Sequence, residues 1–216
     1  MTSVPARDCR LCPRLAAFRD ENARRFPLWH NAPVPSFGDA RARLLVVGLG
    51  PGLRGANRSG RPFTGDYAGD LLYATLAAQG FARGRFVAPR EDAPWTGDGL
   101  ELVDARVTNA VRCVPPANKP LPAEIRACNG FLGAEIAAMP RLRAIVALGR
   151  VAHESVLAAL GLGRPAFPFA HGAVHALGDG RELADSFHCS RYNTNTGRLT
   201  PAMFDAVFAG VRRRLA

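Results

Sequence analysis

The sequence predicts an α/β protein, a three-layer α/β/α sandwich around a central, mainly parallel four-stranded sheet. Three observations carry that expectation. The short continuous apolar run at 44–47 reads as a strand buried on both faces, and further strands are expected at 105–111, 143–149 and 182–187. Helix-length segments alternate with them, as parallel right-handed crossovers require. Loops rich in glycine or polar residues leave the carboxyl ends of the strands, where open α/β sheets bind ligands.

The chain has 216 residues, 48% of them hydrophobic, which suits one core and a single domain over 1–216. Its formal charge is +10, from 28 basic against 18 acidic residues. That excess favours a polyanionic partner, although Lys119 is the single lysine and an arginine-biased genome would also raise it. No apolar run approaches the roughly 20 residues of a membrane span, and the amino terminus lacks the apolar centre of a secretory signal. A cytoplasmic monomer that touches no membrane is expected.

Residues 1–40 form an amino-terminal arm. It opens with Cys9-Arg10-Leu11-Cys12, continues through a polar helix at 14–25 and a proline-rich connection at 27–35, and is expected to lie across the sheet. The remaining cysteines are Cys113, Cys128 and Cys189. Disulfides are not expected in a cytoplasmic chain of this size, so a close pair with two distant partners suggests metal ligation. Spacing alone leaves zinc and iron–sulfur both open.

The first strand runs into Gly48-Leu49-Gly50-Pro51-Gly52-Leu53-Arg54-Gly55-Ala56-Asn57-Arg58-Ser59-Gly60-Arg61-Pro62-Phe63-Thr64-Gly65-Asp66. Its glycines permit sharp turns and close approach, and Arg54, Arg58 and Arg61 add positive charge. Leu53 at the third glycine position breaks the dinucleotide fingerprint. Asp66 reads either as the N-cap of the next helix or as a functional carboxylate. The connection over 83–99, basic and then acidic, carries no interpretable pattern. The second strand delivers Asn109, which offers a donor and an acceptor to an amide-like edge or satisfies the backbone where the strand ends. A helix over 120–139 follows, with Pro122 at its start, and another over 150–160 contains His153, read as structural.

Short strands at 172–177 and 182–187 lead into His188-Cys189-Ser190-Arg191-Tyr192-Asn193-Thr194-Asn195-Thr196-Gly197-Arg198-Leu199-Thr200, before a closing helix at 201–215. Taken alone, a histidine at a strand end is a structural residue and a polar run is a solvated one. The loops after Leu49, Val111 and Phe187, however, should open at one sheet edge and gather Phe63, Asp66, Asn109 and His188.

These two long segments, with Thr108-Asn109-Ala110-Val111-Arg112-Cys113 and Ala147-Leu148-Gly149-Arg150-Val151-Ala152-His153, resemble the motifs of the uracil-DNA glycosylase superfamily. The long first motif ending in Asp66 is similar to that of family 5. The resemblance implies a DNA-repair enzyme that flips uracil, and other deaminated or damaged bases such as hypoxanthine, out of DNA and hydrolyses the N-glycosidic bond. It implies Asp66 and His188 as catalytic residues, and Gly50, Phe63 and Asn109 at the base. Arg58, Ser190, Arg191, Asn193 and Arg198 would hold DNA. Cys9, Cys12, Cys113 and Cys128 would ligate a [4Fe–4S] cluster, with Cys189 free. Gly50 departs from the alanine often found in family 5. The implied partner is uracil-containing DNA and the implied setting the nucleoid. A non-catalytic iron–sulfur protein that binds damaged DNA and a Rossmann-like nucleotide enzyme are the rival classes.

Overall fold

The computed structural model describes residues 3–88 and 95–216. In chain order the main elements are α1 (Pro13–Arg25), β1 (Phe37–Gly38), β2 (Leu44–Gly48), α2 (Ala56–Ser59), α3 (Tyr67–Ala78), β3 (Ala82–Arg83), β4 (Glu101–Leu102), β5 (Ala105–Asn109), α4 (Pro122–Ala137), β6 (Ala144–Leu148), α5 (Arg150–Ala159), β7 (Val174–Ala176), β8 (Glu182–Ser186), α6 (Arg191–Asn195) and α7 (Pro201–Leu215).

The sheet has six strands in the order β1-β5-β2-β6-β8-β7, which corrects the expected four. Its four central strands are parallel, in register Ala105–Leu44–Ala144–Glu182, as expected. The short flanking strands β1 and β7 run antiparallel and close its edges. The two-residue β1 is too short to give any periodicity. A separate pair, β3 with β4, ties the ends of the 83–99 connection together; residues 89–94 of that connection lie outside the described residues.

Strand residues alternate between two cores, as a period of two demands. Leu44, Val46, Val107 and Val146 pack with Leu72 and Leu76 of α3 and Phe204 and Phe208 of α7. Leu45, Val47, Ile145 and Ala147 pack on the other face with Leu132 and Ile136 of α4 and Val156 and Leu157 of α5. Burial on both faces explains why β2 and β6 are continuous apolar runs.

The arm runs along the β5 edge rather than across the sheet. Val34 N–H donates to Arg112 O at 2.7 Å, β1 pairs with β5, and Arg14 grips Glu124 at the start of α4 with two 2.7 Å bonds. Chain order reverses around β2: β5 lies to one side, β6 and β8 to the other. The switch point between β2 and β6 is where such sheets open a crevice.

Candidate active site

A cleft of about 720 Å³ opens at that switch point, lined by residues following β2, β5, β6 and β8. Glycines let the first loop pack closely around it. A Cβ on Gly48 would overlap the Phe63 ring and come within 2.6 Å of Asn109 Oδ1. Cβ atoms on Gly52 and Gly55 would lie 2.9 and 2.7 Å from Asp66 Oδ2. Bare backbone at these three positions lets Phe63, Asn109 and Asp66 sit against the first loop.

Asp66 is the N-cap of α3, its Oδ1 accepting from Gly69 N–H at 3.3 Å, and it also lines the cleft. The two readings of this residue are therefore compatible. Burial raises its pKa above the ordinary carboxylate value, against the lowering effect of the Gly69 and Ala68 N–H groups. Phe63 is held at φ 53°, a left-handed conformation unusual for a bulky residue, and is buried. Tyr73 hydroxyl donates to the adjacent Pro62 carbonyl at 2.5 Å, anchoring that turn.

Asn109 ends β5 almost wholly buried, and its Oδ1 has no hydrogen-bond partner among the described residues. An orphaned buried acceptor costs about 1–3 kcal/mol, a cost a ligand donor would remove. The His188 ring lies 6.0 Å from the Phe63 ring at an interplanar angle of 26°. Burial pushes its pKa down to about 4, so the imidazole is neutral near pH 7 and keeps one donor and one acceptor nitrogen. Gly50 also lines the cleft. Its absent Cβ would meet Val111 O at 3.5 Å and Pro115 Cδ at 3.7 Å, ordinary contacts that leave room for a methyl group.

The second long loop folds into α6, which in sequence is only a polar run. A five-residue polar helix has no apolar stripe; its signal is the cap, Ser190 Oγ accepting from Asn193 N–H at 3.4 Å. Asn193 Nδ2 donates to the backbone carbonyl of His188 at 2.8 Å and so ties this helix to the end of the preceding segment. Exposed Arg191 reaches over the Tyr67 ring at 5.6 Å, and exposed Arg198 over the Phe187 ring at 4.5 Å, both beside the cleft. Arg58, expected at the DNA, is 7% exposed and lies 5.8 Å from the centre of the Trp29 ring. Arg61 is also withdrawn, paired through both terminal nitrogens with Asp98. The third-strand loop, with Gly149 and Arg150, forms a wall of the cleft that the three-loop expectation omitted. His153 does not line the cleft; its Nδ1 lies 2.7 Å from Asp185 Oδ1 and its Nε2 2.9 Å from Phe167 O.

Cys9, Cys12, Cys113 and Cys128 converge on one small cavity between α1, α4 and the segment after β5. Donors face two of the sulfurs: Arg112 N–H lies 3.3 Å from Cys128 Sγ, and the Arg19 guanidinium 3.4 Å from Cys113 Sγ. Burial pushes the Cys12 and Cys128 thiols up to about 11, with neighbouring cysteines adding to the rise. Four thiols packed this way suit a cationic centre that would hold them as thiolates. Cys189 is buried elsewhere, its Sγ 3.5 Å from Ala68 O.

Residues 35–212 match the family model described as "Uracil DNA glycosylase superfamily". The chain belongs to the uracil-DNA glycosylase superfamily. Within that superfamily it is 48% identical over 211 residues to a protein named type-5 uracil-DNA glycosylase from Thermus thermophilus, covering 95% of this chain and 93% of the relative. A protein of the same name from Mycobacterium tuberculosis is 44% identical over 214 residues, covering 95% and 77% respectively. A type-4 uracil-DNA glycosylase from Archaeoglobus fulgidus is 33% identical over 124 residues, covering 57% of this chain and 51% of the relative.

Proposed function

We propose that this superfamily member is a type-5 uracil-DNA glycosylase, a monofunctional hydrolase that removes uracil, and other deaminated bases such as hypoxanthine, from DNA to leave an abasic site. The observation that carries the reading is the buried Asn109 Oδ1, which has no hydrogen-bond partner among the described residues and lies near the Phe63 ring, itself 6.0 Å from that of His188. An extruded uracil supplies what that oxygen lacks, an imide N–H donor.

The nucleotide must leave the stack, because its C1′ is unreachable inside a duplex. Arg191 and Arg198 on the cleft rim, with Ser190 and Asn193, hold the distorted phosphates. Phe63 supplies an aromatic face for the base, and Asn109 reads its edge. As the bond between C1′ and the base nitrogen breaks, its electron pair leaves with the base, and the sugar becomes electron-poor. Neutral His188 donates a hydrogen bond to the developing negative base oxygen. The Asp66 carboxylate offsets the positive sugar and orients water, which adds to C1′ and gives up a proton. The water's oxygen becomes the sugar hydroxyl, and the proton neutralises the departing base.

The four converging cysteines support a [4Fe–4S] cluster held by Cys9, Cys12, Cys113 and Cys128. Its contribution when bound would be a covalent tie between the arm and the segment after β5. Among the described residues no helix is long and apolar enough to cross a membrane. Action as a monomer on nucleoid DNA, within one domain over 1–216, completes the proposal. The test is alkaline cleavage of duplexes carrying one uracil, one hypoxanthine or only normal bases. Product confined to deaminated sites, and lost in Asp66→Asn and His188→Ala proteins, is expected; tight binding without product would favour the non-catalytic damage-binding alternative.

A further inference from the structure

A second concavity, of about 1030 Å³, lies at the opposite pole of the sheet, at the amino ends of the parallel strands. Five arginines line it, Arg43, Arg141, Arg143, Arg181 and Arg214, against one carboxylate, Glu182. Three of them form a row. Leu44 pairs with Ala144 and Ala144 with Glu182, so Arg43, Arg143 and Arg181 each stand one residue before the same register position in β2, β6 and β8. The backbone confirms this alignment: Arg143 N–H donates to Arg43 O, and Glu182 N–H to Arg143 O, both at 2.9 Å. Adjacent strands are about 4.8 Å apart, so the row spans roughly 10 Å.

Like charges at one register position on neighbouring strands repel. The outer members are neutralised, Arg43 by Asp104 at 2.6 Å and Arg181 by Asp179, and Arg214 pairs with Glu182 at 2.7 Å. The middle one is not. Arg143, and Arg141 two residues before it, are exposed and have no carboxylate partner among the described residues. Two uncompensated guanidiniums in a concave basic wall await an anion, and their planar forks suit phosphate.

We propose that this amino-pole cleft binds the phosphodiester backbone of a second DNA segment. The strands between the poles, five residues each, span about 17 Å before loops are added, so a straight duplex engaged at the carboxyl edge would not reach it. A neighbouring segment would. For a protein already seated on DNA, nearby segments are at high effective concentration, and their phosphates are sequence-independent ligands. The inference rests on the DNA-acting reading but uses none of its catalytic residues.

The test compares the unsubstituted protein with Arg141→Glu/Arg143→Glu and Arg141→Ala/Arg143→Ala proteins. Each is first saturated with a short duplex containing a non-hydrolysable uracil analogue, and a labelled undamaged duplex is then titrated in at several salt concentrations. The unsubstituted protein is expected to take up a second duplex. The glutamate variant should bind it at least 10-fold more weakly, with the log–log salt slope reduced by about two, and the alanine variant should fall between. Single-turnover excision of uracil from a short duplex should be unchanged in both variants. A strict one-to-one complex at low salt would overturn the proposal, as would equal second-duplex binding by all three proteins. Capture of a glutamate-rich peptide with exclusion of duplex would also overturn it and redirect the cleft to an acidic protein partner. Absence of excision by the unsubstituted protein would count against the glycosylase reading while leaving second-duplex uptake to be judged separately.

Discussion

Asn109 and His188 take their proposed roles from opposite kinds of incompleteness. Asn109 Oδ1 is buried without a donor among the described residues, whereas the His188 ring is kept neutral by desolvation. Asn109→Ala should lower kcat/KM for uracil by about 1–3 kcal/mol of lost base recognition, roughly 5- to 150-fold. His188→Ala should cost about 10²–10³ in kcat, as loss of a positioned donor does. Phe63→Ala should lose about 1–3 kcal/mol of stacking, measured as binding of a duplex with a non-hydrolysable uracil analogue. The acid limb of the pH–rate profile should belong to Asp66. Its folded-state pKa is raised, so the carboxylate takes up its proton, and activity falls, at a higher pH than for an ordinary aspartate. His188 would join only near pH 4. An Asp66→Asn protein with the same acid limb would remove this assignment. Gly50→Ala should fold normally, because its methyl has ordinary contacts, and should lower excision of hypoxanthine more than that of uracil by narrowing the cleft.

At the scale of elements, the site depends on how β5, α4 and the arm lock together. Arg112 and Glu135 are 1% and 2% exposed and meet at 2.5 Å, while Arg106 bonds the other Glu135 oxygen at 2.7 Å. Glu135→Gln should destabilise the fold by about 3–5 kcal/mol, because two guanidiniums lose their charged partner and one is fully buried. Thermal unfolding with an unchanged midpoint would contradict that account. Much of this level was legible in sequence: the apolar run at 44–47 marked β2, Pro122 marked a helix start, and the glycine-rich stretch after β2 marked a long loop at the carboxyl edge. What was hidden had local or geometric causes. The β1 strand is two residues long, α6 is polar all round, and nothing in the spelling of the first loop distinguishes outward Arg54 from inward Arg58 and Arg61. Those two turn in because Trp29 and Asp98, distant in sequence, are there to receive them.

For the whole molecule, strand order decides what the loops become. The pattern predicted a carboxyl-edge site, and the reversal of chain order around β2 adds the β6 loop as its further wall. Convergence of four thiols from the arm, the segment after β5 and α4 was visible only as a suggestive spacing before the fold was known. If a cluster is seated there, Cys113→Ser should lose the visible absorption of an iron–sulfur centre and lower the unfolding midpoint. A colourless preparation of the unsubstituted protein with full stability would argue for an empty thiol cavity.

The glycines of the first loop have a consequence for how such a chain changes over generations. At positions 48, 52 and 55 the smallest side chain beyond hydrogen would strike Phe63, Asn109 or Asp66, so nearly every mutation is an immediate defect. Position 50 alone among these four has ordinary room for a methyl. Among these four glycines, drift in base preference would thus pass through a single codon, with the other three serving as a fixed mould.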